Sequence, residues 1–143
     1  MKKQNYRNLE GGQIDRENII SFTFNGQKLN GYEGDTLASA LIANGIHLTS
    51  RSFKYHRPRG IFSSGAEEPN AYLQISADNF EEPNVAAPLI EIFNGLVVKS
   101  SNCWPSVNFD LGAINNILSP IFIAGFYYKT FMYPRRMWPF YEK

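Results

Sequence analysis

The sequence holds a single cysteine, Cys103, and only two histidines, His47 and His56. One thiol excludes an internal disulfide and any metal site built by this chain from several cysteines. No apolar run approaches the roughly 18 residues that a membrane-spanning helix requires. The basic opening MKKQNYRNLEGG is followed by no apolar core, so a secretory signal is not expected. Charge of one sign is lacking as well: 14 Lys and Arg face 13 Asp and Glu, a formal net charge of +1. That balance gives no general attraction to nucleic acid or anionic lipid, so an electrostatic partner has to be recognised locally. Gly11-Gly12 lacks the flanking strand and helix of a phosphate-binding or dinucleotide fingerprint. These absences lead us to expect a cytoplasmic protein with neither a membrane nor a nucleic acid as partner.

What is abundant is aromatic side chain, 15% of the residues. Nine of these lie between Phe122 and Tyr141, where Pro134 and Pro139 interrupt any single long helix. So aromatic a tail is expected to pack on something rather than face water. The length suits one domain with a core of its own.

Along the chain, residues 1–18 read as a polar arm. IISFTF, Asn25-Gly26 and QKLNGY follow as a hairpin, because Asn-Gly between two strand-like runs favours the tight turn. EGDTLASALIANG reads as a short helix, with Asp35 or Thr36 as cap, Leu37, Ala40, Leu41 and Ala43 as its apolar face and Gly45 as its stop. AYLQIS alternates as a strand, and LIEIF, Asn94-Gly95 and LVVKS read as a second hairpin. A helix is expected over roughly 109–118, capped near Asp110 and stopped by Pro120. Hairpin, helix, long loop, strand and hairpin is the order of an α+β β-grasp domain, a mixed sheet with one covering helix. The expected divisions are the arm at 1–18, the ferredoxin-like β-grasp domain at 19–101, and a helical and aromatic docking tail at 102–143.

In ferredoxins with that order, the loop after the helix holds the cluster through thiolates spaced C-x4-C-x2-C. Laid on this loop, the spacing falls on Ser63, Glu68 and Ala71, with a fourth position near Ala87 or Pro88, and none is cysteine. We therefore expect no cluster and no other metal. Cys103 has Lys99 as its nearest basic residue in sequence, which favours a packing role over a catalytic one. The same loop carries Arg51, Lys54, His56, Arg57 and Arg59 interleaved with Phe53 and Tyr55. Two readings of that run stand level. It is either a solvated loop pairing with Glu67 and Glu68, or a set of cations converging on an acidic partner or a phosphate.

The run GYEGDTLASALIANGIHLTSRSFKYHRPRGIFSSGAEEPNAYLQI, with LEGGQIDRENIISFTFNG before it and GFYYKTFM after it, resembles the N-terminal domain of the alpha subunit of heterotetrameric sarcosine oxidase. The resemblance covers essentially the whole chain. It implies a ferredoxin-like domain that has lost its cluster, since related domains of hydrogen cyanide synthase and amino-acid dehydrogenase small subunits keep cysteines in the equivalent loop. It further implies membership of an enzyme that demethylates sarcosine to glycine, linked to tetrahydrofolate and hydrogen peroxide formation. The complete enzyme of that family carries FAD, FMN and NAD, with a zinc in its smallest subunit. The implied partners are the remaining alpha-subunit domains and the beta, gamma and delta subunits. No catalytic residue is expected in this chain. Arg51, Lys54, His56, Arg57 and Arg59, with Tyr127, Tyr128 and Lys129 of the tail, are the expected contacts to a partner or cofactor phosphate. An electron-transfer subunit and a stand-alone binding protein are the alternatives.

Overall fold

The computed structural model describes residues 4–8, 10–77 and 80–119. Strand β1 (Asp15–Phe24) turns at Asn25-Gly26 into β2 (Gln27–Glu33), and both turn residues have positive φ, +48° and +81°. That pair of angles is what a two-residue turn needs to match the strands' twist. Helix α1 (Leu37–Ala43) follows, with Thr36 as its cap: the Thr36 Oγ1 accepts the Ser39 amide at 3.2 Å. Gly45, at φ +77°, lies just past the helix end. A two-stranded ribbon, β3 (Ser50–Arg51) with β4 (Pro58–Arg59), forms in the long loop. Strands β5 (Tyr72–Ala77), β6 (Phe80–Ala86) and β7 (Val97–Ser100) complete a five-stranded sheet of order β2-β1-β7-β5-β6. β1 and β7 run parallel and the other pairs antiparallel, so the sheet is mixed. Short 3-10 turns at Ala87–Leu89 and Leu111–Ala113 and the one-turn helix α2 (Ile114–Ile117) complete the elements.

Helix α1 buries Leu37, Ala38, Ala40 and Leu41 in a core with Phe22, Phe24, Leu29, Leu73, Ile75, Leu96 and Val98. Each large aliphatic side chain removed from water there contributes about 1.5–3 kcal/mol. Gly31 lets the layers approach, because a Cβ there would be driven into Ile92 and crowd Ala40.

Three readings need correction. LIEIF forms no strand of the sheet. Its alternation is real, since Ile92 is buried and Ile90 is partly buried against the core, but its backbone bonds go to the start of α1. The Leu37 amide donates to Ile90 O at 2.7 Å and the Ile92 amide to Asp35 O at 3.0 Å. Secondly, β6, which the sequence reading lacks, pairs with β5 on the side away from β7; its FEEPNVA carries Pro83 mid-strand, and a proline is tolerated because β6 is an edge strand. Thirdly, β1 begins at Asp15, so the sheet starts inside the segment read as an arm. That segment is also tied down: Arg7 reaches the buried Asp35 with Nη1 at 2.9 Å and Nη2 at 2.6 Å. The tail from residue 120, with Tyr127, Tyr128 and Lys129, lies outside the described residues.

Candidate functional site: the loop between α1 and β5

The second half of the loop closes on a carboxylate. The Glu68 amide donates to Gly65 O at 3.2 Å, a tight turn that sends the Glu68 side chain inward. There its Oε2 accepts the amides of Phe62 at 2.7 Å and Ser63 at 2.6 Å. Oε1 accepts those of Asn70 at 2.7 Å and Ala71 at 3.0 Å. Glu68 is only 1% exposed. Burial pushes its carboxyl up, but the four amides outweigh burial and hold it below the usual carboxylate range. Ser63 Oγ, beside this cradle in sequence, is buried without a hydrogen-bond partner among the described residues.

The basic half is built on a second buried carboxylate. Asp110 Oδ2 lies 2.7 Å from His56 Nδ1 and 3.6 Å from Arg51 Nε, and Oδ1 accepts the amides of Trp104 at 2.9 Å and Gly112 at 3.2 Å. Burial raises the Asp110 carboxyl, while the Trp104 amide, His56 and the Gly112 amide lower it by more, so it stays below its ordinary value. Arg51 also donates from Nε to Val107 O and from Nη1 to His56 O, both at 2.8 Å. His56, at φ +53°, sits at the tip of the ribbon. Arg51 and His56 thus face inward and fasten the ribbon to the 102–119 segment. Asn115, which donates to Lys54 O at 3.2 Å, adds a further tie.

Gly112 is the small residue that makes room for this clamp, since a Cβ there would be driven into the His56 imidazole. Gly112→Ala is expected to push His56 off Asp110 and cost about 1–3 kcal/mol, the usual range for overpacking. Chemical denaturation, with the His56 ring signals followed by NMR, checks both parts.

Arg57 and Arg59 face outward. Arg57 Nε donates to Asn116 Oδ1 at 3.2 Å, and its guanidinium lies 4.7 Å over the Tyr55 ring. Arg59 Nη1 donates to Asn70 Oδ1. Lys54 Nζ lies 5.2 Å from the Tyr55 ring centroid. The pairing with Glu67 and Glu68 that the sequence allowed does not form. Ion pairs among the described residues are Arg7–Asp35, Arg51–Asp110 and His56–Asp110. Arg51, Lys54, Arg57 and Arg59 do line one cleft of about 470 Å³, together with Asn70 and Tyr72 and with no carboxylate among its described lining residues. His56 is absent from that lining. The partners of Arg57 and Arg59 among the described residues are neutral.

His47 packs edge-on against Tyr6, ring centroids 4.8 Å apart. No group of three His, Cys, Asp or Glu that could hold a metal ion occurs among the described residues. Cys103 is half-buried; burial first, then the nearby Asp110 charge, push its thiol up against a smaller opposing effect of Arg51. That suits packing and opposes a thiolate nucleophile. The sequence offers Asp35 and Asp110 as helix caps, and Asp110 does cap the turn at Leu111–Ala113. Their pairing with Arg7, and with Arg51 and His56, and the inward role of Glu68 were not legible in it.

The sequence model of the family described as "2Fe-2S iron-sulfur cluster binding domain" matches residues 17–103. "Sarcosine oxidase subunit alpha" of Rhizobium meliloti (strain 1021) is 54% identical over 133 residues, 93% of this chain and 14% of that protein. The subunit of the same name from Corynebacterium sp. (strain U-96) is 39% identical over 89 residues, 60% of this chain and 9% of that one. The chain therefore spans about one seventh or less of these relatives' lengths. The crystal structure of L-proline dehydrogenase from P. horikoshii matches at 25% identity and a TM-score of 0.48, over 64% of this chain and 17% of that one.

The residues do not fit the cluster that the family description names. At the expected spacing stand a serine, a glutamate and an alanine. The glutamate's two oxygens are already taken by four amides, and one cysteine cannot supply four thiolates. The chain belongs to the 2Fe-2S iron–sulfur cluster binding domain family, and it is homologous to the N-terminal part of sarcosine oxidase alpha subunits.

Proposed function

We propose that this domain is a cluster-free module of the β-grasp kind that carries out no bond chemistry and joins the parts of a sarcosine-oxidase-type enzyme. One observation carries the reading. Arg57 and Arg59 stand on a clamped ribbon at a cleft with only neutral partners among the described residues, a preformed surface for carboxylates. The partners are the remaining alpha-subunit domains and the beta, gamma and delta subunits, with FAD, FMN and NAD held outside this domain. The tail residues Tyr127, Tyr128 and Lys129 serve as further partner contacts, and the complex is cytoplasmic.

The test is made in the full-length alpha subunit co-expressed with its partner subunits. Arg57→Ala with Arg59→Ala is expected to lower co-purified partner and bound flavin at least about tenfold, since truncating charged interface contacts costs about 2–5 kcal/mol. Assembly and flavin content at wild-type levels would remove the docking role. The family match favours a second reading, electron transfer through a reconstituted cluster. Incubation with ferrous iron and sulfide separates the two: a brown protein with visible charge-transfer absorption supports electron transfer, and a colourless one supports the module.

A further inference from the structure

The loop that this family uses for a cluster is, in this chain, a complete anion site. Its two branches, around residues 62–63 and 70–71, bring four backbone N–H groups to one point. None of these amides donates to a backbone carbonyl among the described residues, and Ala71 is fully buried. A buried N–H without an acceptor is costly, which applies in full to Ala71 and in part to the three half-buried amides, so an acceptor at this point favours the loop's shape. All three positions of the C-x4-C-x2-C spacing meet here. Ser63 and Ala71 supply amides, and Glu68 supplies the carboxylate. A thiolate-ligated cluster is itself a compact anion whose sulfurs accept hydrogen bonds.

We propose that Glu68 is a tethered anion that does for this loop what a cluster does in its relatives: it gathers the loop's amides and fixes the wall of the basic cleft. The link to the cleft is direct. Glu68 Oε1 holds the Asn70 amide, and the Asn70 side chain holds Arg59. No cation is involved, because Glu68 makes no ion pair among the described residues. The site is therefore one of dipoles, selective for a small planar anion with two oxygens rather than for charge in general. Removing the side chain leaves a receptor for a free monocarboxylate. This inference is independent of the docking role: it is read out by stability, and the docking role by assembly.

The experiment uses the 143-residue chain and follows thermal unfolding of the wild type, Glu68→Ala and Glu68→Gln. Each is measured in sodium formate, in sodium chloride at equal ionic strength, and in formamide. Glu68→Ala should unfold at a clearly lower temperature, and formate should raise its midpoint saturably, as a ligand that binds only the folded state does. Chloride and formamide should not give that rise, and the wild type should show no formate-specific gain. Glu68→Gln should also lose stability, because its NH₂ group confronts amide donors. A formate effect equal to that of chloride on Glu68→Ala overturns the proposal, as does a Glu68→Gln midpoint equal to the wild type. If Glu68→Ala folds only with formate present, the proposal stands. If it folds in neither salt, the glutamine variant decides.

Discussion

Asp110→Ala is expected to lower the stability of the domain by about 3–5 kcal/mol, the usual cost of removing one partner from a buried charged network. The substitution removes the acceptor of the Trp104 and Gly112 amides and the only acid paired with Arg51 and His56 among the described residues. The Asp110 side chain is fully buried and that of Arg51 is 10% exposed, so water does little to replace the lost partner. For a domain of about this size, the loss lowers the unfolding midpoint by on the order of ten degrees or more. Loss of the clamp should also be visible locally. The Arg51 amide, bonded to Ser101 O at 3.1 Å, and the Leu111 amide, bonded to Trp104 O at 2.8 Å, should lose exchange protection before the core strands do. Asp110→Asn keeps the shape and one acceptor oxygen but not the charge, and it should fall between the wild type and the alanine variant. A loss below about 1 kcal/mol for alanine would mean that the ribbon is held by its packing rather than by this network.

The elements that could be read from the sequence are those whose cause is local. Asn25-Gly26 fixes a turn by its own backbone preferences, and Thr36 and Gly45 punctuate α1 because caps act within one helical turn. The LIEIF stretch failed because alternation records which side chains meet a core and not where the backbone bonds go; here they go to α1. β6 was missed because Glu81, Glu82 and Pro83 are poor strand formers, tolerated where an edge strand leaves them in water. The candidate site was legible as a place and not as an arrangement. The C-x4-C-x2-C spacing led to Ser63, Glu68 and Ala71, yet Glu68's partners are backbone amides, which every residue type offers. Asp110 lies 54 positions from His56, and no periodicity joins them. In the basic run the sequence could not separate inward from outward cations. The fold divides them: of the cations that line the cleft, Arg51 pairs with Asp110, as His56 does from outside the lining, while Arg57 and Arg59 have neutral partners among the described residues.

Acid is expected to destabilise this domain steeply, because three buried carboxyls sit below their ordinary values in the folded state. For Asp35, burial raises the carboxyl, and Arg7, the Tyr32 amide and the Ser39 hydroxyl together lower it by more. Glu68 and Asp110 are shifted in the same direction. The ordinary values are 3.8 for the aspartates and 4.5 for the glutamate. With the folded values depressed, the unfolded chain takes up these protons first as pH falls. The stabilisation is therefore fully present above the ordinary values and is lost as pH drops through the folded ones. Each full proton of difference contributes a slope of about 1.4 kcal/mol per pH unit, so about 4 kcal/mol per unit is the ceiling for the three groups together. Urea unfolding between about pH 2 and pH 7 measures that slope, and Asp35→Asn should make it shallower. Salt should divide the three. Asp35 and Asp110 are held in part by Arg7, His56 and Arg51, whose side chains are 10–20% exposed, so part of their stabilisation is screened. Glu68 is held by amide dipoles alone, and its share of the slope should persist at high ionic strength. A slope that vanishes entirely in molar salt would mean that charge pairs, and not the amide cradle, keep this loop closed.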